Sequence, residues 1–296
     1  MNPRLDPVKA PMLRMLWRKA VNMTMLTLTG LFTLLAITPL IWILVYVVRE
    51  GAPALSLSFF TELPTPAGIP GGGLANALVG SAITVGLGVV LAAPIGVLTA
   101  FYVAAHPNTP LGLSVRFATD VISGVPSIVM GIFAYTIIVL PQRHFSALAG
   151  GVVLAFIMLP IIIRTTEEML KLVPNALREG SLALGASEWR TSWSVLLPAA
   201  INGVLTGLML GMARAAGEAA PMLFTAFGNP FMSTALDQPI ATLPHTIFVY
   251  AISPYADWHA KAWATALVLI GLVLVLNLLA RLIIWWRTCQ LGSVTR

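Results

Sequence analysis

Arg214 and Glu218 stand four residues apart, with no other charge between Leu197 and Ala219. On a helix that spacing brings guanidinium and carboxylate within reach on one face. Arg164 closes a second apolar run, just before Thr165, Thr166, Glu167 and Glu168. An unpaired charge at mid-membrane costs about 2.5–3.5 kcal/mol on the insertion scale, so each arginine needs a physical reason. One reason is a staple: Arg214 neutralises Glu218, and Arg164 neutralises Glu167 or Glu168. The other is a path for an anion. A guanidinium donates paired hydrogen bonds to an oxyanion and stays charged at any relevant pH. Glu218 would then limit the dwell of the anion, because a conducting site must also release. Both readings stand at this point, and Arg164, near the end of its run, can also extend to an interface at low cost.

The element that positions Arg214 has its own pattern. Gly203, Gly207, Gly211, Ala215 and Ala219 recur every four residues, a small-residue face on which a neighbouring backbone can pack closely. Leu210, Arg214 and Glu218 lie one position earlier, beside that face. Pro221 has no N–H to donate and predicts a bend, with the carbonyl near Gly217 left free.

Composition sets the class of the other elements. The chain is 58% hydrophobic and 9% charged, with mean hydropathy +0.89, which excludes a soluble domain of 296 residues. A bilayer admits only helices or closed barrels, and the apolar runs here are continuous rather than alternating. The expected fold is all-α, a polytopic integral membrane bundle of six transmembrane helices. These are predicted near 21–48, 74–105, 115–140, 147–170, 193–227 and 261–286. Ile247–Ile252 is also apolar, but Pro244 and Pro254 bracket it, so it is read as an interfacial or re-entrant helix.

The first apolar run, Val21 to Val48, is too long for a cleaved signal and is expected to be a retained span. Gly51–Gly73, rich in Pro and Gly, reads as an external loop. With both termini cytoplasmic, twelve Lys and Arg fall inside and three (Arg49, Arg143 and Lys261) outside. That asymmetry sets the topology. It also accounts for the net charge of +6 without invoking nucleic acid. A single cysteine, Cys289, excludes an internal disulfide. The four histidines, His106, His144, His245 and His259, have no metal-ligand spacing and read as surface loop residues. No Gly-Lys-Ser/Thr occurs, so the chain carries no phosphate-binding loop of its own.

Between two apolar runs lies the polar stretch LREGSLALGASEWRTSWSVLLP, from Leu177 to Pro198. It places Glu179 six residues before Gly185, with Val195, Leu197 and Pro198 after a further gap. This resembles the coupling-loop signature of ABC importer permeases, E-A-A, three residues, G, nine residues, I-x-L-P. In that reading Leu182, Ala183 and Leu184 form an apolar knob. Gly185 takes the positive φ that ends one short helix, and Ser187 caps the next. Gly180 and Ser181 replace the two alanines of the pattern, which predicts a looser first helix.

The segments PIIIRTTEEMLKLVPNALREGSLALGAS, ARAAGEAAPMLFTAF, GGGLANALVGSAITV, GVPSIVMGIFAYTIIV and QPIATLPHTIF narrow the resemblance. They are similar to the A-type permease subunit of the bacterial phosphate-specific ABC importer, a type I ABC importer permease, from about Gly71 to Arg281. The resemblance implies a non-enzymatic permease of the bacterial inner membrane that moves phosphate inward by alternating access, with Arg164, Arg214 and Glu218 on the substrate path. It implies a homologous second permease, two copies of a cytoplasmic ATPase that hold the ATP and Mg, and a periplasmic phosphate-binding protein. On this reading residues 1–20 are a basic tail, and 21–70 are the first transmembrane helix and its loop. Residues 71–286 are the permease domain and 287–296 a second tail. A permease for molybdate or sulfate is the alternative within the class, and an ion-coupled secondary carrier the alternative outside it.

Overall fold

A computed structural model describes residues 9–69 and 71–292. The parts of the two expected tails at 1–8 and 293–296 lie outside the described residues. In chain order the helices are α1 (Lys9–Gly51), α2 (Leu57–Thr61), α3 (Ala75–Ala105), α4 (Pro110–Gly124), α5 (Ser127–Ala134) and α6 (Leu140–Gln142). They continue with α7 (Ala147–Lys171), α8 (Asn175–Ala183), α9 (Glu188–Thr191) and α10 (Leu197–Ala216). The last are α11 (Ala220–Thr225), α12 (Leu243–Ala251) and α13 (Ala256–Gly292). Among the described residues no strand forms, and one isolated bridge joins Phe227 to Ile240.

Among the described residues five helices are long and apolar enough to cross a membrane, and a sixth span is reached if α4 and α5–α6 count as one bent pair. The chain is therefore a polytopic helical membrane protein. The expected straight span at 115–140 is corrected: Val125 and Pro126 are not helical, and the two halves meet at 104°. Proline disfavours helical conformation in the residue before it and cannot donate to the preceding turn. The expected continuous span at 193–227 is corrected too. Its helix ends at Ala216, and α11 begins anew at Ala220 with Pro221 in its first turn. Pro221 thus helps start a second helix rather than bend the first. Gly131 of α5 packs on Pro221, where an added methyl would lie 2.7 Å from the proline Cα, so the two breaks adjoin.

The chain divides into two compact units at Glu50 and Gly51. The first is α1, which is helical already from Lys9, within the stretch expected to be a tail. Its Thr24, Thr27, Thr29, Thr33 and Thr38 hydroxyls each donate to the carbonyl one turn back, which satisfies them without a partner helix.

The second unit is centred on α7, the most buried of the spans. Against it lies α3, whose Asn76, Gly80, Thr84, Gly88, Ala92, Gly96 and Ala100 recur every four residues and are all buried. An added methyl at Gly96 would lie 2.7 Å from Ile162 Cγ2, so only the missing side chain lets the helices approach this closely. On another side of α7 lies α10. Two π-helical turns, Tyr135–Val139 and Ser192–Leu196, each end two residues before a proline, Pro141 or Pro198. One extra residue in the turn relieves the clash a proline ring makes with the carbonyl four back.

Candidate functional site

The small-residue face of α10 meets α7 in antiparallel register. Gly203 lies against Met169, Gly207 against Thr165, and Gly211 against Ile162 and Met158. Ala215 is buried on the same face, while Ala219 falls in the break after the helix and does not continue the stripe.

Beside that contact, Leu210 is 51% exposed and the Arg214 side chain 57% exposed. Arg214 reaches Glu218, Nε to Oε1 at 3.7 Å, and Glu218 itself sits in the non-helical link to α11. The pair forms, but on the face the chain leaves open rather than in its core. From the register, Arg214 lies about 9 Å along the axis from Arg164, at 1.5 Å per residue.

Arg164 is held differently from the expectation. Its Nη2 donates to Asp120 Oδ1 on α4, and only Nη1 approaches Glu167, at 3.9 Å from Oε2. Glu167, 1% exposed, is the centre of a cation cluster. Its Oε1 receives Arg116 Nη2 at 2.6 Å, Arg116 Nε at 2.8 Å and Lys171 Nζ at 2.6 Å. Arg116 also donates to Pro107 O at 2.8 Å and Val103 O at 3.3 Å, fastening α4 to the end of α3. In the sequence Arg116 is one of the twelve inside charges, at the start of the span predicted over 115–140, and Asp120 is not singled out. Both are one helical turn apart on α4, and nothing in the local sequence ties them to α7.

Below the cluster α7 runs into the α8–α9 segment, and its end is self-contained. Gly185 has φ +82°, Ala186 N–H donates to Ser181 O at 3.2 Å, and Gly185 N–H donates to Leu182 O at 2.9 Å. This is a Schellman closure of α8. Ser187 then caps α9 by accepting from Arg190 N–H at 3.3 Å. Ser181 and Thr191 hydroxyls meet at 2.9 Å and tie the two helices together. Leu182 is half-buried, whereas Glu179, Ala183 and Leu184 are exposed, Leu184 by 91%. Val195 and Leu197 are half-buried and Pro198 is exposed in the first turn of α10. Of the two residues that replace alanine, Gly180 leaves open space where a methyl would stand, and Ser181 gives its carbonyl to the closure and its hydroxyl to Thr191.

At the other end of the bundle, His245 departs from a surface loop position. It lies half-buried on α12 against Gly228, and no group of three metal-binding side chains forms among the described residues.

The described residues thus form a helical membrane bundle with an exposed, backbone-locked helix pair and partly exposed arginines. The sequence pattern of the family described as binding-protein-dependent transport system inner membrane component matches residues 92–284, and the chain belongs to that family. It is 46% identical over 268 residues to the phosphate transport system permease protein PstA of Yersinia pestis, covering 90% of this chain and 91% of that one. It is 44% identical to PstA of Haemophilus influenzae, over 91% of this chain and 96% of that one. A probable PstA of Methanocaldococcus jannaschii is 33% identical over 92% of this chain and 95% of its own length. Among solved structures, an inward-facing MetNI methionine ABC transporter matches with TM-score 0.58 at 21% identity. That match covers 71% of this chain and 94% of the other, and shares the fold.

Proposed function

We propose that this chain is a permease subunit of an ATP-driven importer that carries inorganic phosphate from periplasm to cytoplasm. The observation that carries this reading is Arg214: a charge inside a candidate span, more than half exposed although it lies beside the face that packs on α7. Facing lipid, it would be costly even with Glu218 beside it. Facing a water-filled interface with a second permease, it is free to receive an oxyanion. The names of the relatives favour phosphate as that oxyanion. Arg164, 37% exposed on α7, offers a second donor nearer the α8–α9 end.

In the proposed cycle two copies of an ATPase close on ATP, and the α8–α9 segments of two homologous permeases move with them. The permeases then open toward a loaded periplasmic binding protein, and hydrolysis returns them to release phosphate inside. The excess of Lys and Arg near α8–α9 supports a cytoplasmic placement of that end in the bacterial inner membrane, with both termini inside. This chain makes or breaks no covalent bond. ATP and Mg belong to the partner ATPase.

The test compares Arg214→Gln with Arg214→Gln/Glu218→Gln in membranes, for complex abundance and phosphate uptake. A path residue loses uptake in both variants while the complex stays assembled. Recovery of full uptake in the double variant would reduce Arg214 to a structural partner of Glu218. Uptake of sulfate or molybdate in preference to phosphate would overturn the choice of anion.

A further inference from the structure

We infer that Asp120 is the resident counter-anion of Arg164, a positioning residue that occupies the guanidinium between passages and so limits how long phosphate stays there. The inference rests on the phosphate path proposed above and extends it to a residue on a different helix.

The two acids near Arg164 are used in different ways. Glu167 is 1% exposed, and its Oε1 is committed to Arg116 and Lys171. It approaches Arg164 only at 3.9 Å, and its Oε2 has no hydrogen-bond partner. Asp120, in contrast, is 58% exposed and takes the Arg164 Nη2 hydrogen bond. A buried staple would have the burial of Glu167. An exposed ion pair is weak, because water and salt compete for both charges, and so it can be displaced.

A carboxylate and a phosphate present the same kind of acceptor edge to a guanidinium. Asp120 therefore satisfies Arg164 in the way an incoming anion would. Its short side chain can turn into solvent when the anion arrives. When phosphate is on Arg164, the free carboxylate beside it repels the anion, and recapture of the guanidinium favours release. Binding must be weak enough to leave. Arg116 and Lys171 outnumber the one carboxylate of Glu167 that they share, so this neighbouring cluster keeps a net positive charge.

The test uses proteoliposomes containing the chain with its partner permease, ATPase and binding protein, loaded inside with ATP. Asp120→Asn, Asp120→Glu, Arg164→Gln and Arg164→Gln/Asp120→Asn are compared for initial phosphate uptake. They are also compared for the lumenal phosphate concentration that halves that uptake. Asp120→Asn is expected to lower the uptake rate and to make lumenal phosphate inhibit at an about two- to fivefold lower concentration, the scale of one exposed ion pair. Asp120→Glu should restore both properties, and adding Arg164→Gln should abolish the heightened inhibition. An unchanged inhibitory concentration in Asp120→Asn overturns the inference, whatever happens to the rate. Loss of the Asp120→Asn complex from the membrane overturns it as well, since Asp120 would then brace α4 against α7. Wild-type uptake by Arg164→Gln would instead remove Arg164 from the path and sink the reading on which the inference rests.

Discussion

The α8–α9 segment and the cluster around Glu167 adjoin at the same end of the bundle, yet they are built on opposite plans. In α8–α9 the closing contacts at Gly185 and Ser187, the Ser181–Thr191 contact and the Arg178–Glu188 pair all lie within residues 178–191, and the product is an exposed apolar tip at Leu184. In the cluster the contacts join α3, α4 and α7 across as many as 51 residues, and the product is a carboxylate hidden from water. A handle that a partner must grip needs shape independent of the rest of the fold. A cluster that holds three helices in register needs the reverse, contacts that reach between elements distant in sequence.

Glu167→Gln tests the second plan most severely. Breaking a buried ion pair by removing one partner costs roughly 3–5 kcal/mol, because the remaining charge stays buried and uncompensated. Here Arg116 is only 20% exposed and loses the charge of its carboxylate partner, with Lys171 beside it. The expected result is a complex depleted from membranes and with a much lowered melting temperature after purification. Wild-type melting would mean that Arg116 is held by the Val103 and Pro107 carbonyls alone.

The α7–α10 contact offers a graded test of how much close packing the cluster depends on. At Gly207 an added methyl would lie 2.9 Å from Thr165 Cβ, an atom fixed to the backbone. Gly207→Ala is expected to destabilise by about 1–3 kcal/mol, as overpacking does. At Gly203 an added methyl would lie 2.6 Å from Met169 Cβ, closer still and equally fixed to the backbone, and Gly203→Ala should cost at least as much. Gly211→Ala makes ordinary contact at 3.5 Å from Ile162 Cγ1 and should be neutral or slightly stabilising. Melting of the three purified complexes in any other order would break the register described for α7 and α10.

The same local-against-distant distinction explains what was legible in the sequence. Gly185 and Ser187 could be read because their partners lie within a few residues, and the α10 stripe because it repeats. The α3 stripe from Asn76 to Ala100 carries an equal signal and was legible too, although attention went to the helix with charges. The bent pair at Val125–Pro126 had a proline as its mark, but an apolar run of span length concealed the break. Asp120 and Arg116 had no such mark. Their partners on α7 are 44 and 51 residues away, and only the folded positions of α4 and α7 bring them together. Arg214 was legible as a helical charge paired with Glu218, whereas its exposure beside the α7 contact followed only from the folded packing.

Gly185→Val tests the first plan. At φ +82° an L-residue is disfavoured by about 1–2 kcal/mol, and a β-branched one most of all. Nothing lies within 4 Å of a Cβ placed there, so the effect should stay in the turn. The complex is expected at normal abundance with markedly lower phosphate-stimulated ATPase activity, and Gly185→Asn should fall between it and the wild type. Full coupling in Gly185→Val would show that the tip does not require the Schellman closure.

Arg178 and Glu188 provide the mildest perturbation and the sharpest contrast with Glu167. They pair across the α8–α9 turn at 3.4 Å, with side chains 37% and 65% exposed. Water screens both charges, and the turn is already fixed by backbone bonds and by the Ser181–Thr191 contact. An exposed pair of this kind contributes about 0.2–1 kcal/mol. Arg178→Ala, Glu188→Ala and the double variant should therefore each shift the melting of the complex only slightly, with a coupling energy near the lower end of that range. The same cycle at Arg116 and Glu167 should give a coupling several times larger. Equal coupling energies in the two cycles would erase the distinction between a locally held handle and a buried, long-range brace.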